Sequence, residues 1–300
     1  MLFRSFMNVK QSTPGRSLIW NLFIALACLA GTFAAQASDA FDSGLLWKVE
    51  AAGTTPSYLF GTMHSDNPAV VELPAPVRRA FDQAGSLTLE VVLDPQSLLS
   101  MASALLLTDG KSLESLIGRR LYERSVEGLR AQGVAEILVA GMKPWAVAVT
   151  LMTPVTTGGL VLDHALYRDA VAAGKKVHGL ETVAEQTGLF DDLSLKDQIT
   201  LLRDTLDNLG SIGLMLDELQ VAYLDRDLKR LQEISEASMR AGDPQLAETF
   251  NRTIVLERNH RMAERMQSRL REGQQFIAVG ALHLAGEQGL LRLLSERGYR

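Results

Sequence analysis

Ser57-Tyr58-Leu59-Phe60-Gly61-Thr62-Met63-His64 is a short β-type run ending in Gly-x-x-His, with a turn at Ser65-Asp66-Asn67-Pro68 behind it. The same device returns near the other end of the chain as Gln275-Phe276-Ile277-Ala278-Val279-Gly280-Ala281-Leu282-His283. Each copy is followed by a helical pattern. In α/β proteins ligands collect at the carboxyl ends of strands, where loops present polar groups over a rigid base. Two histidines delivered this way from opposite ends of a chain point to one shared site. A single Gly-x-x-His would carry little information; the repeat in the same strand-end context gives it weight.

Working outward, Leu45 to Ala51 reads as a first strand, and the turn Gly53-Thr54-Thr55-Pro56 folds it back on the histidine strand as a hairpin. Pro74 to Ala84 carries a short helical pattern closed by Gly85, and Ser86 to Asp94 then reads as a strand. From Pro95 to Thr153 the pattern is helical, with breaks expected near Asp109-Gly110, Gly133 and Gly141 to Pro144. Val161 to Ala173 is another helix, and Lys176 to Glu181 a short buried strand running into a turn. Leu195 to Ala241 is long and amphipathic, divided at Gly210 and Gly213. Asp243-Pro244 restarts a helix, Ile254 to Arg271 forms a further one, and Gly286 to Arg297 closes the chain. The fold class is α/β: a small central sheet formed by both ends of the chain, with a large helical insertion between the two Gly-x-x-His strands.

The front of the chain reads differently. Arg4, Lys10 and Arg16 precede an apolar run from Leu18, and Ala35-Gln36-Ala37 offers a cleavage site before Ser38. Residues 1–37 read as a secretory signal of bacterial style, with 38–300 as a single domain in the periplasm. The competing reading is an uncleaved inner-membrane anchor facing the periplasm; Asn21, Gly31 and Thr32 dilute the span. Cys28 is the sole cysteine, so a cleaved product has neither disulfide nor thiolate chemistry. Removing three basic residues from 30 leaves 27 against 35 acidic, a formal charge of −8. With no basic patch, nucleic acid is not an expected partner.

Candidate chemistry begins with His64 and His283, since neutral imidazole binds manganese, cobalt, zinc or iron and is the usual base near neutral pH. The preceding glycines would let backbone approach a metal or ligand closely. Glu90 lies in a run so apolar that its carboxylate needs a partner, for which His64 on a neighbouring strand is the natural choice. Arg258 could instead pair with Glu90 or hold an oxyanion, and Asn259 could orient water. His164, His178 and His260 lack the strand-end context. Lys143-Pro144-Trp145 and Gly179-Leu180-Glu181-Thr182 are compact motifs whose role stays open; Glu181 either caps a helix or reaches the site.

Taken together these motifs resemble the signature set of the TraB/GumN family: Gly61 to His64, the Leu-x-Leu-Glu at Glu90, Lys143-Pro144-Trp145, Gly179 to Thr182, Arg258-Asn259 and Gly280 to His283, in order over the chain after its signal. That family is related to the Tiki metalloproteases of animals, and more remotely to erythromycin esterases and a haem-binding lipoprotein group. The resemblance implies a compact α/β fold with both histidines and Glu90 in one cleft. It implies a divalent metal (manganese, cobalt or zinc) on His64, His283 and Glu90. Glu90 would be ligand or general base, with Arg258 and Asn259 orienting substrate. The expected activity is metal-dependent hydrolysis of a peptide or similar small substrate. The sequence holds no His-Glu-x-x-His, which excludes an ordinary helix-borne zincin. The alternative is a non-catalytic binder of a peptide, haem or metal, with helices around Leu98–Leu106 and Met142–Met152 lining an apolar pocket.

Overall fold

The computed structural model describes residues 41–155, 158–240 and 243–300; the segment read as a signal lies outside them. Five strands form one sheet: β1 (Leu46–Val49), β2 (Ser57–Thr62), β3 (Ser86–Leu89), β4 (Lys176–Gly179) and β5 (Gln275–Gly280). Their spatial order is β1-β2-β5-β3-β4. The hairpin expected at Gly53–Pro56 pairs β1 antiparallel to β2, and the other contacts (β2 with β5, β5 with β3, β3 with β4) are parallel. β5, made last, sits at the centre, between two strands made early. Its parallel neighbours are buried on both faces, so β3 and β5 read as nearly continuous apolar runs.

Among the described residues, two hydrophobic cores are formed. One packs on the sheet around Leu59, Leu87, Phe276 and Ile277, where Phe81 meets Phe276 edge to face at 5.4 Å. The other belongs to the helical insertion, around Leu113, Leu129, Trp145 and Leu202. Each fully buried side chain of this size contributes about 1.5–3 kcal/mol, so the insertion holds itself together without the sheet's apolar faces. The helix Pro144–Met152 is consumed in that second core through Trp145, Ala146, Val147, Ala148 and Leu151. It therefore does not line the apolar pocket expected between Met142–Met152 and Leu98–Leu106. The helix Pro95–Ala104, by contrast, buries none of its residues.

Several boundaries differ from the sequence reading. β3 stops at Leu89, so Glu90 lies just past the strand rather than within it. Lys176–Gly179 is an edge strand, exposed at both ends rather than buried, and it brings a piece of the helical insertion into the sheet. Gly210 and Gly213 fall inside the helix Leu209–Leu224; no side chain crowds either, and flanking packing outweighs the roughly 1 kcal/mol that each glycine costs. The breaks come instead at Asn208, and at Asp225–Asp227, where Arg226 turns the chain at φ 60°. The helix expected from Ile254 starts earlier: Pro244–Phe250, capped by the Asp243 carboxylate, continues through a π-helical segment, Asn251–Leu256, into the helix Glu257–Glu272. The closing helix is shorter, Leu290–Glu296.

Candidate functional site

Because four strands run parallel, their carboxyl ends share one edge of the sheet. Thr62 lies opposite Gly280, and Leu89 opposite Gly179. His64, Glu90, Glu181 and His283 all follow within three residues of a strand end. The two Gly-x-x-His motifs are adjacent because β2 pairs with β5. Gly61 explains how closely: a Cβ there would sit 2.7 Å from Leu284 Cδ1 and 3.1 Å from Ala281 Cα. The glycine makes room for the other motif's turn, not for a ligand. At Gly280 the opening serves Glu90, whose Oε1 would lie 3.3 Å from an added Cβ and accepts the Gly280 N–H at 2.7 Å.

His283 is buried at the end of the short 3-10 turn Ala281–His283. Its Nδ1 lies 2.7 Å from Asn259 Oδ1, while Asn259 Nδ2 donates to the Gln288 carbonyl at 2.8 Å. That carbonyl can only accept, which fixes the amide orientation and requires His283 to donate from Nδ1. Burial pushes the imidazole pKa down and Glu90 only partly opposes it, which favours the neutral ring with its lone pair on Nε2. Nε2 faces Glu90 Oε1 at 3.8 Å.

Glu90 itself is held by an ion network. Its Oε2 accepts from Arg258 at 2.5 Å and from Gln186 Nε2 at 3.1 Å. The same guanidinium reaches Glu181 Oε2 at 2.7 Å, and Arg261 binds the other Glu181 oxygen at 3.0 Å. The Glu181 side chain has no exposed surface. Two guanidinium groups thus balance one buried carboxylate, Glu181, and one half-buried one, Glu90, the condition under which burial of charge is tolerated. Burial pulls the Glu90 pKa up, but His283 when it is protonated, the Arg258 guanidinium and the Gly280 N–H outweigh it and hold it at about 2. Glu90 is therefore an anion at any ordinary pH.

The open motifs now have roles. Thr182 and Glu185 form a reciprocal capping box that starts the helix Val183–Asp191 just after Glu181, and Gln186 on that helix donates to both carboxylates. Lys143 Nζ and Trp145 Nε1 both bind Asp191 at its far end (2.8 and 2.7 Å), and Trp145 stacks on Phe190. Lys143-Pro144-Trp145 thus anchors the helix that carries Gln186.

His64 departs from the sequence reading. Its partner is not Glu90: Nδ1 lies 3.2 Å from Asp163 Oδ2, and its side chain remains 69% exposed. Asp163, in the first turn of the helix Leu162–Ala172, also accepts from the Thr62 hydroxyl at 2.8 Å. The Asp163 carboxylate beside it raises the His64 pKa. Sequence reasoning missed Asp163, Glu181 as an arginine partner, and Gln186. For Asp163 the available signal was a carboxylate beside an apolar helix start. His260 pairs with the Gln288 side chain, and His178 lies on the edge strand.

The structure thus joins Glu90, His283, Arg258 and Asn259 by direct contacts, with His64 on the neighbouring strand end. In kind these residues fit a divalent ion: a fixed carboxylate oxygen, one imidazole whose Nδ1 is held by Asn259, and one whose Nδ1 lies beside the Asp163 carboxylate. Behind His64, the buried Asp163 Oδ2 has no well-aligned hydrogen bond. Among the described residues, no three His, Cys, Asp or Glu side chains are gathered closely enough to hold an ion.

A family model described as "TraB/PrgY/gumN family" matches residues 45–300. Curated relatives include "Metalloprotease TIKI2" of Danio rerio, 27% identical over 86% of this chain and 60% of that protein. "Metalloprotease TIKI1" of Danio rerio is 25% identical over 86% of this chain and 62% of its own length. "Metalloprotease TIKI1" of Homo sapiens is 26% identical over 86% and 61%. The chain therefore spans about three fifths of the length of these relatives. No solved structure shows significant similarity.

Proposed function

The chain belongs to the TraB/PrgY/gumN family, and from that premise we propose that it is a metal-dependent hydrolase of peptides or similar small substrates, exported to the periplasm. The observation that carries the reading is the facing pair His283 Nε2 and Glu90 Oε1, 3.8 Å apart at the sheet edge. Both atoms carry lone pairs, so the geometry favours a cation between them. His283 and Glu90, joined by His64, would hold a divalent ion. Such an ion, when bound, polarises the scissile carbonyl and lowers the pKa of a bound water.

The protein's own groups divide the remaining work. Glu90, with a pKa of about 2, is too weak a base to take a proton from water near neutral pH and suits a ligand role. His64, exposed and backed at Nδ1 by Asp163, suits the third ligand position at the same edge. Arg258 keeps Glu90 ionised, and Asn259 keeps the His283 lone pair on Nε2. Export rests on the N-terminal signal pattern of residues 1–37, with membrane anchoring through that segment as its alternative. Among the described residues, no helix is long and apolar enough to cross a membrane.

The test is titration of the protein with manganese, cobalt and zinc, beside His64→Ala, Glu90→Gln and His283→Ala, with a peptide-library cleavage assay on the same samples. Stoichiometric binding with cleavage, both lost in His283→Ala, is the expected result. Tight capture of peptide or haem without product would replace the hydrolase by a binding protein.

A further inference from the structure

Among the described residues, Asp163 is a buried carboxylate with no arginine or lysine ion-pair partner. Two features offset its burial. The Thr62 hydroxyl donates to Oδ1 at 2.8 Å, and the first turn of the helix Leu162–Ala172 favours negative charge. Oδ2 remains, buried and without a well-aligned hydrogen bond, with His64 Nδ1 3.2 Å away. A carboxylate can only accept, so the contact is favourable when Nδ1 bears the hydrogen. We infer that Asp163 is a positioning residue, which fixes His64 as its Nδ1–H tautomer and leaves the lone pair on Nε2 of this exposed ring.

The arrangement parallels His283, whose Nδ1 is held by Asn259, with one chemical difference. A carboxylate backs the exposed imidazole and a neutral amide backs the buried one. Equivalent motifs thereby deliver two imidazoles backed by chemically different acceptors. The significance of the tautomer rests on the hydrolase reading; the tautomer itself does not.

The test is nitrogen NMR of the full protein with labelled imidazoles, recorded with the ring neutral, alongside cobalt titration. The expected wild-type spectrum has His64 protonated at Nδ1. Asp163→Ala shifts it toward the Nε2–H form, and Thr62→Val, which spares the carboxylate, does not. Cobalt affinity in Asp163→Ala falls roughly 10- to 100-fold, as for loss of other groups that orient metal-bound histidines. A wild-type His64 in the Nε2–H form overturns the assignment, and that readout needs no variant to fold. An unchanged tautomer in folded Asp163→Ala overturns it as well. If the Nδ1–H form is present and lost in the variant while wild type binds no cobalt, Asp163 keeps its role and the hydrolase reading fails.

Discussion

Nδ1 of His283 and Oδ1 of Asn259 lie 2.7 Å apart, and the amide is itself held by the Gln288 carbonyl at 2.8 Å. Three groups in series thus decide which imidazole nitrogen faces Glu90. Asn259→Ala removes the acceptor and frees the ring to rotate or change tautomer. Cobalt titration should show affinity reduced roughly 10- to 100-fold, with stability lowered by about 1–3 kcal/mol for the buried partners left unpaired. Undiminished affinity would remove Asn259 from the site.

Arg258 is the counter-ion of two carboxylates at once. Arg258→Met strands Glu90 and leaves Glu181 to Arg261 alone, at a cost of about 3–5 kcal/mol, the range for breaking a buried pair from one side. Adding Glu90→Gln should recover part of that loss, because the uncompensated charge disappears. Denaturant midpoints of the single and double variants give the coupling directly. Strict additivity would mean that the two side chains do not act on each other.

Acid stability follows from Glu90. Its pKa falls from 4.5 to about 2 on folding, so the unfolded chain takes up a proton first as pH drops. The stabilisation is complete above about pH 4.5 and is lost as pH falls toward 2, with an upper bound of about 3 kcal/mol. His283 acts in the same direction from a higher starting point: its lowered pKa stabilises the fold above 6.5 and loses that contribution below it. Glu90→Gln should be less stable than wild type at neutral pH and show a flatter acid limb between pH 4.5 and 2. Parallel curves in urea titrations across that range would contradict this account.

Gly61→Ala places a methyl against Leu284 and the backbone of Ala281, forcing apart the two Gly-x-x-His turns. A loss of about 1–3 kcal/mol is expected from overpacking, read as a lower urea midpoint. The control lies in Gly213, exposed inside the helix Leu209–Leu224 with no atom near an added Cβ. Gly213→Ala should raise stability by about 0.5–1 kcal/mol.

The amino-acid sequence by itself determined the α/β class, the hairpin, the strand-end placement of His64 and His283, and the helical insertion. These are local: apolar runs, turn residues and caps act within a few positions of one another. Sequence also singled out Glu90, Arg258 and Asn259, because a carboxylate after an apolar run needs a partner and arginine is a plausible one. It could not choose between His64 and Arg258 as that partner. The choice depends on strand order: β5 lies between β2 and β3, so Glu90 meets Gly280 and His283, while the helix Glu257–Glu272 brings in Arg258. Only the tertiary structure decided that Asp163, roughly a hundred positions from His64, backs that ring, and that Glu181 belongs to the arginine network rather than to a helix cap. Pairing energies between distant residues depend on where packing places them, and no local pattern in the chain carries that distance.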